Sequence, residues 1–127
     1  MDAGLNLFAG WLGILLGVLF GTALGLRFQE EGWLGGYGSW PRRMLRLAHV
    51  SFFGLGFLNI AFGLTARELG LLGQLAWPAA LLLAGAASMP LTCCLAAVRP
   101  SCRQLFVLPV GSVLAGLGLF VWRVWLP

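Results

Sequence analysis

The chain is 127 residues long, and 60% of its residues are hydrophobic while only 9% are charged. A soluble domain carries about 25% charged residues, so this composition, with a mean hydropathy of +0.93, excludes an ordinary soluble protein. The net charge of +4 comes from arginines that stand between hydrophobic runs, which indicates helix ends at a membrane surface and not a nucleic-acid-binding surface. Because one span takes about 20 residues, we expect an all-α polytopic integral membrane protein, a four-transmembrane-helix bundle forming a single domain over residues 1–127.

The first hydrophobic run, residues 7–26, predicts a helix with a ridge of small residues along one face. Its glycines recur at every fourth position, at Gly13, Gly17, Gly21 and Gly25. In lipid the hydrophobic effect contributes little between helices, so close van der Waals contact between backbones becomes the main gain. The pattern is that of a glycine zipper, and we expect it to pack on another helix of the same chain ahead of a second subunit.

The second predicted helix, residues 41–65, carries the chain's one histidine, His49, and the carboxamide of Asn59. Polar groups inside a membrane are costly unless they are paired or functional. At helical spacing both residues share a face with Gly56 and Gly63, which let another backbone approach closely. We therefore expect this face to point into the bundle, away from lipid.

The third and fourth helices are predicted over residues 71–98 and 102–125. Pro90 lies inside the third run and is expected to kink it, because proline removes a backbone hydrogen bond. The short link after the second helix predicts that the third runs antiparallel beside it. A second close-packing face is expected on the fourth helix, at Gly111, Ala115 and Gly118.

The arginines predict the orientation of the chain. Six of them flank the first and third connections, namely Arg27, Arg42, Arg43, Arg46, Arg99 and Arg103. The opposite side has Arg67 and Arg123. By the positive-inside rule, the arginine-rich connections are cytoplasmic and both termini lie outside, in a multi-pass protein of the cell membrane.

A metal or haem site is one hypothesis for His49. The imidazole of His49 should lie at a similar depth to Cys93 and Cys94. A histidine with thiolates suits a soft metal such as copper(I), with Met89 as a further ligand. Haem could use His49 as one axial ligand, with Met89 or the His49 of a second subunit as the other. Adjacent cysteines point about 100° apart on a helix, and a buried histidine usually finds a hydrogen-bond partner. We favour a hydrogen bond from His49 to a backbone carbonyl of another helix or to the neighbours of Asn59.

Asn59 has several possible roles. A carboxamide near mid-span commonly clasps a neighbouring helix, but Asn59 could also line a permeation path or meet the headgroup of a quinone or a pigment. The predicted spans contain no carboxylate, which argues against a proton-coupled transporter. The sequence also offers no serine, histidine and acid set and no phosphate-binding loop, so we expect no enzymatic activity.

These observations favour a non-catalytic subunit of a larger membrane complex of respiratory or photosynthetic type. Its expected partners are the lipid bilayer and other membrane subunits, with lipid, quinone or pigment contacts as further candidates and no nucleic acid. Two alternatives stay open at this point. One is a haem- or copper-binding membrane protein that uses His49, and the other is a small homo-oligomeric channel or transporter.

Overall fold

A computed structural model describes residues 3–71 and 73–126 of the chain, and its regular secondary structure there is helical. The four α-helices are α1 (Ala3–Arg27), α2 (Trp40–Glu68), α3 (Ala76–Val98) and α4 (Val107–Trp125), with 3₁₀ helices at Trp33–Gly35 and Pro100–Phe106. Within the described residues, four helical segments are long and apolar enough to cross a membrane, the last combining a 3₁₀ helix with α4. The all-α class is therefore confirmed, and the four segments are consistent with a multi-pass membrane protein.

Three α-helices begin several residues from the starts that the sequence predicts. Helix α4 starts at Val107 and not at residue 102, because Pro100–Phe106 forms a 3₁₀ helix. Helix α1 starts at Ala3, four residues before the predicted start, which places Asn6 inside a helix. Helix α3 starts at Ala76, five residues after its predicted start at residue 71. The sequence stays hydrophobic through the α2–α3 connection, but the helical conformation ends there. Gly70 adopts a φ of 66°, which stops the helical path after α2.

Consecutive helices pack against one another along the chain, α1 on α2, α2 on α3 and α3 on α4. An apolar core lies where α3 begins and where α2 and α4 end, and consists of Phe62, Ala66, Leu75, Ala79, Leu82 and Phe120. The rings of Phe62 and Phe120 meet edge to face, with 5.1 Å between their centroids. At the other end of the bundle, Trp40 Nε1 donates a 2.7 Å hydrogen bond to the carbonyl of Ala96 and ties the start of α2 to the end of α3.

The glycines of α1 face α2 along most of the helix. A Cβ added at Gly10 would lie 2.7 Å from the carbonyl oxygen of Gly56, and one added at Gly56 would lie 2.9 Å from the carbonyl oxygen of Gly10. At Gly13 an added Cβ would lie 3.3 Å from the carbonyl oxygen of Phe52, and at Gly17 it would lie 2.8 Å from the Phe53 ring. Two backbones come together here only because side chains are missing from both.

On two helices, the predicted glycine faces include residues that do not pack against another helix. Gly25 has open space around its Cβ position, and Leu24 is the buried residue of that turn. On α4, Gly111 and Gly118 likewise have open space at their Cβ positions, whereas a Cβ added at Gly116 would lie 3.2 Å from the Leu82 side chain. Small residues permit close packing on whichever face they occupy, so their spacing alone does not tell which face meets a helix and which remains open.

Candidate functional site

A pair of buried carboxamides joins the first three helices. Asn6 Nδ2 on α1 donates to Asn59 Oδ1 on α2 at 2.7 Å and to the carbonyl of Ala79 on α3 at 3.2 Å. Asn59 Nδ2 donates to the carbonyls of Leu55 at 2.9 Å and Leu82 at 3.4 Å. Both asparagines are fully buried. The pair therefore clasps three helices through three interhelical hydrogen bonds, and the fourth bond, to Leu55, lies within α2.

Sequence reasoning missed Asn6, because the predicted first helix began one residue after it. The signal was nevertheless present. Asn6 precedes Gly10 by four residues and Gly17 by eleven, and these spacings place all three on one helical face. Continuing the glycine face toward the N-terminus would have set Asn6 opposite α2, within reach of Asn59.

His49 makes the kind of contact that the sequence favoured, a hydrogen bond to a backbone carbonyl of another helix. Its Nδ1 lies 3.0 Å from the carbonyl oxygen of Gly17 on α1. Since a carbonyl only accepts, Nδ1 carries a proton and donates this hydrogen bond. The ring fills the space that a side chain at Gly21 would occupy and meets Phe53 edge to face at 5.2 Å. The missing side chains of α1 thus create the pocket that holds the imidazole.

The predicted metal ligands are not assembled. Among the residues that the structure describes, no three His, Cys, Asp or Glu side chains lie close enough together to hold a metal ion. His49 turns toward α1, because Gly17 and Gly21 leave room there, while Cys93 and Cys94 belong to α3. Cys93 is fully buried, Cys94 is partly buried, and both carry free thiols. Met89, on the same helix, is also only partly buried.

An apolar groove of about 520 Å³ runs between α1 and α3, with α2 at its floor. Gly13 and Gly56 lie on the α1 and α2 sides, while Pro90 and Cys94 lie on the α3 side. Because Pro90 has no N–H, the carbonyl of Ala86, which also lines the groove, lacks its usual helical donor. The groove can hold an apolar chain.

The chain has no match among protein-family models, curated proteins or solved structures. Its function must therefore be argued from the geometry and chemistry of these elements.

Proposed function

We propose that the chain is a non-catalytic integral membrane subunit that assembles with other membrane proteins through the outer faces of α1 and α4. In this proposal both termini lie outside the cell membrane and the arginine-rich connections face the cytoplasm. The observation that carries the proposal is a contrast in how the helices use their side chains. Asn6, Asn59, His49 and Ser112 donate hydrogen bonds within the chain, whereas many large apolar side chains on the two outer helices are left uncovered.

The polar side of this contrast rests on three interhelical contacts. Asn6 and Asn59 bond to each other, His49 bonds to α1, and Ser112 Oγ on α4 donates to the carbonyl of Leu81 on α3 at 2.7 Å. Groups that hold helices together in this way are not available for substrate or for ions. This favours a structural role over a catalytic or transport role.

The apolar side rests on α1 and on the segment that contains α4, which bury a smaller share of their residues than α2 and α3 do. Side chains of both outer helices are more than half exposed, among them Phe8, Trp11, Leu19, Leu108, Leu114 and Trp122. Two separate apolar faces, one on each side of the chain, suit contacts with more than one neighbouring span. The groove between α1 and α3 adds a place for a lipid, quinone or pigment chain within such an assembly.

The test is native mass spectrometry of the assembly extracted from its own membrane in mild detergent. We expect the chain to co-purify with other membrane subunits at fixed stoichiometry. Phe8→Ala on α1 should lower the recovered partner, whereas Phe57→Ala on α2 serves as the matched control, since the two phenylalanines are similarly exposed, at 65% and 58%. A homo-oligomer without other subunits would overturn the proposal.

A haem protein is the second candidate, because one observation favours it. Histidines that ligate metals almost always donate their other ring N–H to a carbonyl or carboxylate, and His49 does so toward Gly17. The purified protein should then show a Soret band that His49→Ala removes, and a protein without the band would exclude this candidate. The channel alternative has weaker support, since Asn59 is fully buried and donates to two carbonyls of its own chain.

A further inference from the structure

Arg42, in the first turn of α2, is a buried cation. The residue is 2% exposed, and its Nη2 donates to the backbone carbonyl of Glu30. Its guanidinium lies over the rings of Trp33 and Phe28, at 5.2 and 5.8 Å from their centroids. Aromatic faces and one carbonyl stabilise a cation, but a charge taken out of water normally requires an anion as well.

Three polar atoms on this part of α2 are buried without a hydrogen-bond partner in the described part of the chain. They are Arg42 Nε, Arg46 Nη1 and Ser39 Oγ. Residues 39, 42 and 46 are spaced by three and four, so they follow one another along one face of the helix. Ser39 is the N-cap residue of α2, and its hydroxyl makes no capping bond. Three polar atoms without a hydrogen-bond partner, two of them on guanidinium groups, therefore line the same stretch.

The surrounding charges do not supply the missing anion. Between described residues, the one ion pair joins Arg27 and Glu30 at 3.9 Å, and both of these side chains are largely exposed. Glu30 offers Arg42 its backbone and not its carboxylate. Arg46 stacks on Tyr37, with 4.2 Å from its guanidinium carbon to the ring centroid. The N-terminus of a 29-residue helix adds a positive partial charge at the same place.

We propose that this stretch, Ser39, Arg42 and Arg46 under the α1–α2 connection, binds a phosphate group. Phosphate oxygens accept from the guanidinium N–H groups and the serine hydroxyl, and a helix N-terminus favours the negative charge. The phosphate belongs either to the headgroup of an anionic phospholipid or to a small solute. Phe28, Trp33 and Tyr37 of the connection cover the two guanidiniums, so the anion enters when the connection moves aside.

The first experiment measures lipid retention by the full-length protein. The protein is equilibrated with equal amounts of phosphatidylglycerol and phosphatidylcholine and examined by native mass spectrometry. We expect one retained phosphatidylglycerol, and about tenfold less of it in Arg46→Gln, because a hydrogen bond to a charged group is lost. Ser39→Ala should lower retention less. The matched control is Arg43→Gln, since Arg43 is on the same turn but exposed and should leave retention unchanged.

The second experiment separates the two sources of phosphate. The melting temperature of the protein in phosphatidylcholine is measured with and without inorganic phosphate, for the natural chain and for Arg46→Gln. Retained phosphatidylglycerol without a phosphate effect identifies a lipid site, and a phosphate-dependent rise that Arg46→Gln abolishes, without retained lipid, identifies a solute site. The proposal is overturned if neither signal appears, or if Arg43→Gln reduces the signal as much as Arg46→Gln does.

Discussion

The two ends of α2 differ in how their buried polar side chains find hydrogen-bond partners. Toward its C-terminal half, Asn59 meets the carboxamide of Asn6 and three helices close around the pair, so the chain supplies nearly all of the partners. At its N-terminal end, Arg42 and Arg46 are covered by aromatic rings, yet two guanidinium nitrogens have no acceptor among the residues that the structure describes. The chain itself satisfies all but one atom of the asparagine pair, whereas in our proposal a bound anion satisfies the arginines at the other end.

The difference in charge explains the contrast. The asparagine pair leaves one neutral acceptor, Asn6 Oδ1, without a partner within residues 3–71 and 73–126. An unsatisfied neutral group costs about 1–3 kcal/mol, and an unpaired buried charge costs more. A folded chain tolerates the first cost by packing well around it. The second is large enough to make binding of an anion favourable, and the variants below probe each end separately.

The largest effect is expected at the close approach of α1 to α2. Gly10→Ala should lower the free energy of unfolding by about 3 kcal/mol, because the new Cβ would lie 2.7 Å from a backbone oxygen, which is part of the opposite helix and not easily moved. Chemical unfolding in mixed micelles measures the change. Gly25→Ala is the control, since its Cβ enters open space and the substitution should be neutral or stabilising by up to about 1 kcal/mol. Equal losses in both variants would show that the glycine face does not set the helix separation.

A smaller effect is expected at the carboxamide pair. Asn59→Ala should lower the free energy of unfolding by about 2 kcal/mol, because it removes two donors and leaves Asn6 without its acceptor on α2. Asn6→Ala and the double variant complete a double-mutant cycle in the same micelles. The coupling should be about 1 kcal/mol, within the range for interhelical hydrogen bonds in membranes. Strictly additive losses would mean that the two amides do not interact.

The sequence could predict the all-α class and the four apolar segments, because hydrophobicity and length determine both. It could also predict that Gly13 and Gly17 face another helix, since spacing fixes which residues share a face. Asn6 was missed because hydrophobicity places the start of a helix only roughly. The grouping of His49 with Cys93 and Cys94 assumed that equal depth brings side chains together, but the rotation of α2 about its axis turned the imidazole toward α1. Neither the predicted depth of a residue in the membrane nor the helical spacing of residues tells which neighbouring helix a given face contacts.

A further prediction concerns His49 and Gly21, with an expected effect about half of that at Asn59. Gly21→Ala should destabilise the natural chain by about 1 kcal/mol, because the added Cβ overlaps the imidazole of His49. In the background of His49→Ala the ring is gone, and the same substitution should cost nothing. Thermal unfolding of the four variants gives the coupling directly. If Gly21→Ala lowers the stability equally in both backgrounds, the imidazole does not occupy the space at the Cβ position of Gly21.

The smallest effect is expected in the connection that covers the arginines. Leu34 has a φ of 51°, in the left-handed region that costs a residue with a Cβ about 1–2 kcal/mol. Leu34→Gly relieves this strain but gives the unfolded chain more freedom, so the net gain should be only about 0.5 kcal/mol. Since the connection must move for an anion to reach Arg42 and Arg46, a more relaxed closed form should also bind phosphate more weakly. Raised stability in phosphatidylcholine together with lower retention of phosphatidylglycerol would tie the cover to the site, whereas higher retention would show that the connection does not close over it.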